Sequence, residues 1–155
     1  MSAGDTEKEP GEHVRFARYL DELERVTEAD EADLTGRILT DPDPTMARSA
    51  VLRHVDRRGA ELCLGPAWEE WVETMTAAVL RHPLLTRRLR EWALFRAVTL
   101  RLPWRREDLI ASSDWLQLKA AAGPSPEGRR VLAEHGRTKR IRHTARTGPA
   151  PHGEH

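Results

Sequence analysis

The residues with the clearest chemical potential in this sequence are basic ones near its carboxyl end. The segment EHGRTKRIRHTAR, residues 134–146, holds five arginine or lysine residues and a single acid. Guanidinium groups bind carboxylates and phosphates, often through two parallel hydrogen bonds. The segment has no aromatic residue interleaved for base stacking, so it would bind a nucleic acid only through phosphate charge. We predict a surface for a protein partner or a phosphate backbone from nine residues: Arg87, Arg88, Arg90, Arg129, Arg130, Arg137, Lys139, Arg140 and Arg142. The alternative is a solvated face on which arginine stems cover apolar surface.

The net charge of zero conceals a gradient along the chain. Residues 1–33 contain eleven acids and four bases, whereas residues 81–146 contain sixteen bases and six acids. Such an asymmetry is typical of a chain whose basic end binds a polyanion. It is equally typical of a basic end that packs against the acidic end of its own or another copy.

Other reactive side chains have simpler explanations. The HGEH cluster at residues 152–155 lies in a Pro/Gly-rich stretch without the scaffold or spacing of a zinc site, so we expect no metal. His54 falls on an apolar helix face, where we expect a hydrogen-bonded core or boundary histidine rather than a catalytic base. Cys63 lies between two leucines, so we expect its thiol to be buried and inert. Acids near predicted helix starts, such as Glu69 and Glu70, complement the helix dipole without any catalytic role.

The sequence carries no recognisable catalytic or cofactor motif. No glycine-rich loop follows a strand, so no phosphate cradle is indicated, and we expect a protein without enzymatic activity and without a cofactor. The single cysteine cannot form an internal disulfide, the amino-terminal segment does not resemble a signal peptide, and no apolar run reaches membrane-spanning length. These features favour a cytoplasmic protein.

Apolar residues recur at helical spacing throughout, and period-two alternation is nearly absent, which predicts an all-α fold. Proline-marked breaks at DPDP, GPAW, HPLL, LPW and GPSP separate the predicted helices. These helices cover about 13–26, 27–40, 44–62, 66–80, 84–101 and 106–122, the last whole or split. A shorter helix ends near Gly136, and residues 137–146 form a final turn or two. We expect a single helical domain over 13–146, with residues 1–12 and 147–155 disordered.

Three of the breaks are evenly spaced, because Pro42, Pro83 and Pro124 stand 41 residues apart. A shift by this period places Trp68 over Leu109, Met75 over Leu116 and Val79 over Ala120. A period near 40–47 with two helices per unit, and an opening such as DPDPTMARSAV, resembles the HEAT-type helical repeats. The resemblance covers roughly residues 42–135 and implies stacked antiparallel hairpins in a short solenoid. An irregular helical bundle with coincident breaks is the alternative.

Two functions fit this organisation. The first is a scaffold or adaptor that binds a protein partner, or a second copy of itself, through charged helical faces. The second is binding of a nucleic-acid backbone by the arginine-rich helices. No membrane partner is indicated.

Overall fold

The fold is all-α, as the sequence predicted. The computed structural model describes the backbone of residues 3–148 and the side chains of residues 11–148, and over that range it contains nine helices and no strand. The helices are α1 (Ala3–Arg25), α2 (Glu28–Ile38), α3 (Pro44–Leu62), α4 (Trp68–Ala78), α5 (Pro83–Leu100), α6 (Arg106–Ala111), α7 (Asp114–Ala121), α8 (Pro126–His135) and α9 (Lys139–Thr147).

The helix starts follow from side chains that accept hydrogen bonds from free backbone N–H groups. The Asp43 carboxylate accepts from the Met46 N–H at 3.0 Å, and Pro44 occupies the first helical position, where it loses no hydrogen bond. Ser113, Ser125 and Thr138 cap α7, α8 and α9 in the same way. Residues 106–122 had been expected to form one whole or one split helix, and the structure has the split form, because α6 and α7 are separate helices.

Helix α5 ends on a residue in an unusual conformation. Arg101 has a φ of 59°, in the left-handed region that glycine adopts most easily, and no other non-glycine residue described shares it. The Leu102 N–H then donates to the Ala97 carbonyl at 2.9 Å, closing the six-residue bond of a Schellman cap. Because the cap requires a left-handed residue at this position, Arg101 adopts a backbone conformation that is unfavourable for any residue other than glycine.

The chain divides into two compact units, residues 1–89 and 90–155, and the boundary falls inside α5. In the first unit, α1 packs on α3 and α2 packs on α4, while α2 also contacts α1 and α3. Its buried apolar side chains include Leu23 and Ile38, with Val51 and Val55 on α3 and Trp68 on α4.

In the second unit, α9 packs on α7 and α8, and α8 also contacts α6 and α7. The core cluster of this unit is Leu109, Ala120, Ala121, Leu132, Ile141 and Ala145. Helix α8 approaches α5 closely at Gly128, where a Cβ atom would lie 2.8 Å from a methyl carbon of Val98. A side chain at this position would push the two helices apart.

The HEAT-like repeat stays a prediction. In the first unit each helix of one hairpin contacts its counterpart in the next, an arrangement that stacked hairpins share with compact bundles. The three pairs of positions related by the 41-residue shift, Trp68 with Leu109, Met75 with Leu116 and Val79 with Ala120, are all buried. Both observations are compatible with a repeat.

The predicted domain limits are also left open by the division into units. The expected single domain over 13–146 stays a prediction, since two compact units can belong to one cooperative domain. Helix α1 begins at Ala3, earlier than the helix expected from residue 13, and α9 continues to Thr147. Residues 1–2 and 149–155, parts of the two segments expected to be disordered, lie outside the described residues.

Candidate functional site

The nine predicted basic residues are distributed over both units. Arg87 and Arg88 belong to the first, and the other seven belong to the second: Arg90 on α5, Arg129 and Arg130 on α8, Arg137 before α9, and Lys139, Arg140 and Arg142 on α9.

Arg88, Arg137 and Arg142 form well-defined polar contacts with the fold. Arg88 forms an ion pair with Asp56 at 2.7 Å. The guanidinium of Arg142 donates to the Gly136 carbonyl at 2.7 Å. These arginines stabilise loops and helix contacts, and their role in binding stays a prediction.

Arg137 is the most extensively bound of the nine. Its guanidinium donates to the Ser112 carbonyl at 2.6 Å and the Ile110 carbonyl at 3.3 Å, and it pairs with Asp114 at 2.5 Å. Its backbone N–H donates to the buried Gln117 side chain at 2.9 Å. The carbonyls at the end of α6 have lost their helical partners. The Gln117 amide donates to that of Ile110 at 2.8 Å, and Arg137 supplies donors to those of Ile110 and Ser112.

Of the remaining six basic side chains, one is half-buried and five are exposed. Arg129 is half-buried, and its Nε atom is buried without a hydrogen-bond partner in the part of the chain that the structure describes. Arg87, Arg90, Arg130, Lys139 and Arg140 are exposed.

Helix α9 has an unusual charge distribution at its amino end. Its first four residues, KRIR, carry three positive charges and no acid, and Lys139 and Arg140 are exposed. The helix macrodipole places a partial positive charge at that end, so cations there are unfavourable. Helices α2, α4 and α6 instead have acids in their first turn. A placement that opposes local stability is most common where a side chain has a function.

An apolar groove lies beside α9. It has a volume of about 640 Å³, and its lining includes Phe95 on α5, Trp115, Leu118 and Lys119 on α7, and Arg140 and Thr144 on α9. None of the residues that line it is acidic. We call it the α7–α9 groove. It combines apolar surface with two cations in one place.

The aromatic residues around the groove are fixed by edge-to-face packing. Trp92 is buried, and its ring lies at 88° to Phe95 and 69° to Trp115, with centroids 6.0 and 5.3 Å away. The Lys119 ammonium lies 4.9 Å from the Trp92 ring centroid and 5.1 Å from that of Phe95, within the range of cation–π attraction.

The sequence did not indicate this groove. Residues 134–146 contain no aromatic residue, which had suggested a surface that acts through charge alone. The packing of α7 on α9 places Trp115 and Arg140 around one groove although 25 positions separate them, and Phe95 is more distant still. These residues meet only because the helices pack together, and no local spacing pattern in the sequence reveals the groove.

A second cluster in the first unit surrounds Glu31, a buried acid of α2 that sequence reasoning missed. Its carboxylate accepts from the His54 Nε2 at 2.6 Å, from the Arg58 Nε at 3.0 Å and from the Trp71 Nε1 at 3.0 Å. The Arg57 guanidinium donates to the His54 Nδ1 at 3.0 Å, which leaves the imidazole proton on Nε2. The predicted hydrogen-bonded core histidine is confirmed.

The Glu31 carboxylate is held in its ionised form. Burial alone would raise its pKa, but the hydrogen bonds from His54, Arg58 and Trp71 outweigh burial and hold the pKa at about 2. A general base needs a pKa near the working pH, so this carboxylate is a poor proton acceptor. A cavity of about 100 Å³ adjoins it, lined in part by Glu28, Arg58 and Glu70. The cluster joins α2, α3 and α4, and its chemistry indicates a structural role.

Two further carboxylates serve the fold. Asp41 accepts hydrogen bonds from Tyr19 at 2.6 Å and from Arg15 at 3.0 Å, and the bond from Tyr19 is the main cause that lowers the pKa of Asp41 to about 2. Glu91 is buried on α5 and accepts from both the N–H and the hydroxyl of Ser113, each at 2.7 Å.

The other predicted features have mixed outcomes. Cys63 is buried, as predicted. No group of three or more His, Cys, Asp or Glu side chains that could hold a metal ion occurs in the part of the chain that the structure describes. The HGEH cluster lies outside the described residues. Of the helices described, none is both long and apolar enough to cross a membrane.

Comparison with known proteins adds no relative. No protein-family model, curated protein or solved structure matches this chain.

Proposed function

We propose that this protein is a non-enzymatic helical interaction module that binds an acidic segment of a partner protein through α9. The observation that carries the proposal is the first turn of α9. Lys139 and Arg140 extend into solvent there against the helix dipole, and α9 contains no acid that could neutralise them. Exposed arginines bind carboxylates well because one guanidinium can donate two hydrogen bonds to both oxygens.

The interior polar groups support a binding role over a catalytic one. The buried carboxylates Glu31, Asp41 and Glu91 are each saturated by donors of the fold. The cationic surface, in contrast, lies beside an apolar groove, and binding sites typically combine these two features. The HEAT-like arrangement implied by the sequence would fit such a scaffold, since stacked hairpins present extended surfaces to partners.

The test is a titration of the full chain with short acidic peptides at low and moderate salt. We expect saturable binding that weakens as salt rises and that is lost in the double variant Lys139→Glu, Arg140→Glu. The matched control is Arg53→Glu, Arg81→Glu, which reverses two exposed arginines of the first unit, one on α3 and one just before α5. Equal binding by both double variants would contradict the proposal.

A second copy of the chain is a specific version of such a partner. The first unit contains eighteen acids and twelve bases, whereas the second contains thirteen bases and seven acids. The first unit of one copy and the second unit of another therefore have opposite net charges and can attract one another. Sizing over a range of concentrations and salt tests this version, and a monomer under all conditions would leave only a foreign partner.

Nucleic-acid backbone binding is the second candidate function. The exposed cations Arg130, Lys139 and Arg140 favour it, since phosphate contacts supply most of the non-specific affinity. A gel shift with duplex DNA over a salt series tests it. The absence of a shift at low salt would exclude this candidate.

A further inference from the structure

We infer that the α7–α9 groove receives an apolar side chain of the acidic segment that binds α9. This inference rests on the proposed function and specifies the chemistry of the partner. The expected ligand is a peptide segment with carboxylates on both sides of one leucine-like residue.

The first step of the inference is the composition of the groove. Trp115, Leu118 and Phe95 supply apolar surface, and the volume of about 640 Å³ lies within the order of 300–1,000 Å³ that ligand sites usually have. Apolar surface that remains open to water gains free energy when another apolar group covers it, on the order of 25 cal/mol per Å². The groove is therefore suited to an apolar anchor.

The second step is charge complementarity at the edge of the groove. Arg140 belongs both to the groove lining and to the cationic first turn of α9, with Lys139 next to it. No acid lines the groove, so nothing in its walls repels a carboxylate. An apolar side chain in the groove therefore brings its neighbouring carboxylates close to these cations.

The third step distinguishes a peptide from a nucleic acid. Base stacking needs an open aromatic face, and successive bases need several such faces. Here the Lys119 ammonium covers one face of Phe95, and Trp92 meets Phe95 and Trp115 by edge-to-face contacts. The rings thus form the walls of a groove that suits an aliphatic side chain better than a stack of bases.

The experiment uses the full chain and two tryptophan-free peptides of identical charge. Both have acidic residues on each side of one central position, which is leucine in the first and alanine in the second. Binding is followed by the emission of the chain's own tryptophans and by calorimetry. Because burial of a leucine side chain stabilises a complex by about 1.5–3 kcal/mol, we expect the leucine peptide to bind about tenfold more tightly or better.

Two variants locate the binding site. Ala122→Phe fills the groove from its exposed rim, and Ala111→Phe adds the same side chain at an exposed position at the end of α6. We expect Ala122→Phe to abolish the preference for leucine and Ala111→Phe to retain it, both with an unchanged melting temperature. If Ala122→Phe unfolds the chain, Thr144→Leu, which narrows the groove from α9, replaces it.

The outcomes separate this inference from the proposed function. Equal affinity for both peptides, together with loss of binding in Lys139→Glu, Arg140→Glu, would overturn the groove inference and leave the proposed function standing. Binding of neither peptide would overturn both. A single-stranded oligothymidylate that binds more tightly than the leucine peptide, and that Ala122→Phe excludes, would assign the groove to nucleic acid instead.

Discussion

The indole N–H of Trp71 donates a hydrogen bond of 3.0 Å to the carboxylate of Glu31, which lies forty positions earlier in the chain. This contact joins α4 to α2 inside the first unit. Both side chains are buried, and both line the cavity of about 100 Å³ in this unit. The pair therefore determines how these two helices align.

Removal of this hydrogen bond should cost more than removal of an ordinary one. Trp71→Phe keeps an aromatic ring but deletes the donor, and bonds to a charged group contribute about 1.5–3 kcal/mol. We expect at least that loss in the free energy of unfolding, measured by urea denaturation. Trp104→Phe, at a half-buried position in the second unit, is the control and should lose clearly less.

The Glu31 cluster also predicts a dependence of stability on pH. The pKa of Glu31 is about 2 in the folded chain, against an ordinary value of 4.5. A carboxyl group with a lowered folded pKa stabilises the fold fully above the unfolded pKa and loses this contribution as pH falls toward the folded pKa. Stability should therefore decline between about pH 4.5 and pH 2.

The variant Glu31→Gln isolates this contribution. It should be less stable than the natural chain at pH 7 by about 3–5 kcal/mol, because Arg58 and His54 lose a buried anionic partner. Its stability should also fall less steeply below pH 4.5. Asp41 titrates in the same window, so a residual slope is expected. Identical slopes for both proteins would contradict the assignment to Glu31.

Trp92 should be essential to the second unit. It is 2% exposed, contacts Phe95 and Trp115, and lies under the Lys119 ammonium. Trp92→Ala should lower the free energy of unfolding by about 3–5 kcal/mol. Leu80→Ala, at a position that is 70% exposed, should change it by no more than about 0.5 kcal/mol. A Trp92→Ala protein that melts at the natural temperature would refute the core role of this residue.

The first turn of α9 predicts opposite effects on stability and binding. Lys139→Glu and Arg140→Glu replace unfavourable charges near the amino end of the helix, and each should raise stability by about 0.3–1 kcal/mol while binding of acidic peptides weakens. Arg146→Glu at the other end of α9 should lower stability instead. Thermal melts and peptide titrations of the three variants test both signs. If Lys139→Glu and Arg140→Glu raised both stability and peptide affinity, or lowered both, a functional origin of these charges would be contradicted.

The cap at the end of α5 predicts a stabilising substitution. A left-handed conformation costs a non-glycine residue about 1–2 kcal/mol, and glycine avoids most of this cost. Because glycine also loses more conformational freedom on folding, Arg101→Gly should stabilise the chain by a net amount of up to about 1 kcal/mol. Chemical denaturation measures it. Gly148 has a positive φ of 75°, so Gly148→Ala should have the opposite sign.

Local chemistry made the helices predictable, because each depends on neighbours in the sequence. Proline at Pro44 and Pro126, the cap of Asp43 and the apolar stripes all act within a few residues. The sequence also contains a local sign that Glu31 is buried, because Glu31 lies on the same helical stripe as the apolar residues Leu34 and Ile38. An acid at such a position indicates a buried partner but does not identify it.

The contacts between helices were not predictable, because nothing local encodes them. Arg58 and Trp71 reach Glu31 only after α2, α3 and α4 have packed. Arg137 was expected to bind an external anion, and its guanidinium also donates to the Ser112 and Ile110 carbonyls beside the α6–α7 break. The sequence showed the break and the arginine separately, and only the packed second unit relates them.

That relationship also sets an order of events during synthesis. The corner between α6 and α7 leaves the ribosome well before Arg137. The Gln117 amide can donate to the Ile110 carbonyl at that stage, whereas the Ser112 carbonyl still lacks the Arg137 guanidinium. The corner therefore acquires its full set of hydrogen bonds only after residue 137 has emerged. A nascent chain stalled before that point should have a loosened α6–α7 corner, which limited proteolysis of stalled chains would detect.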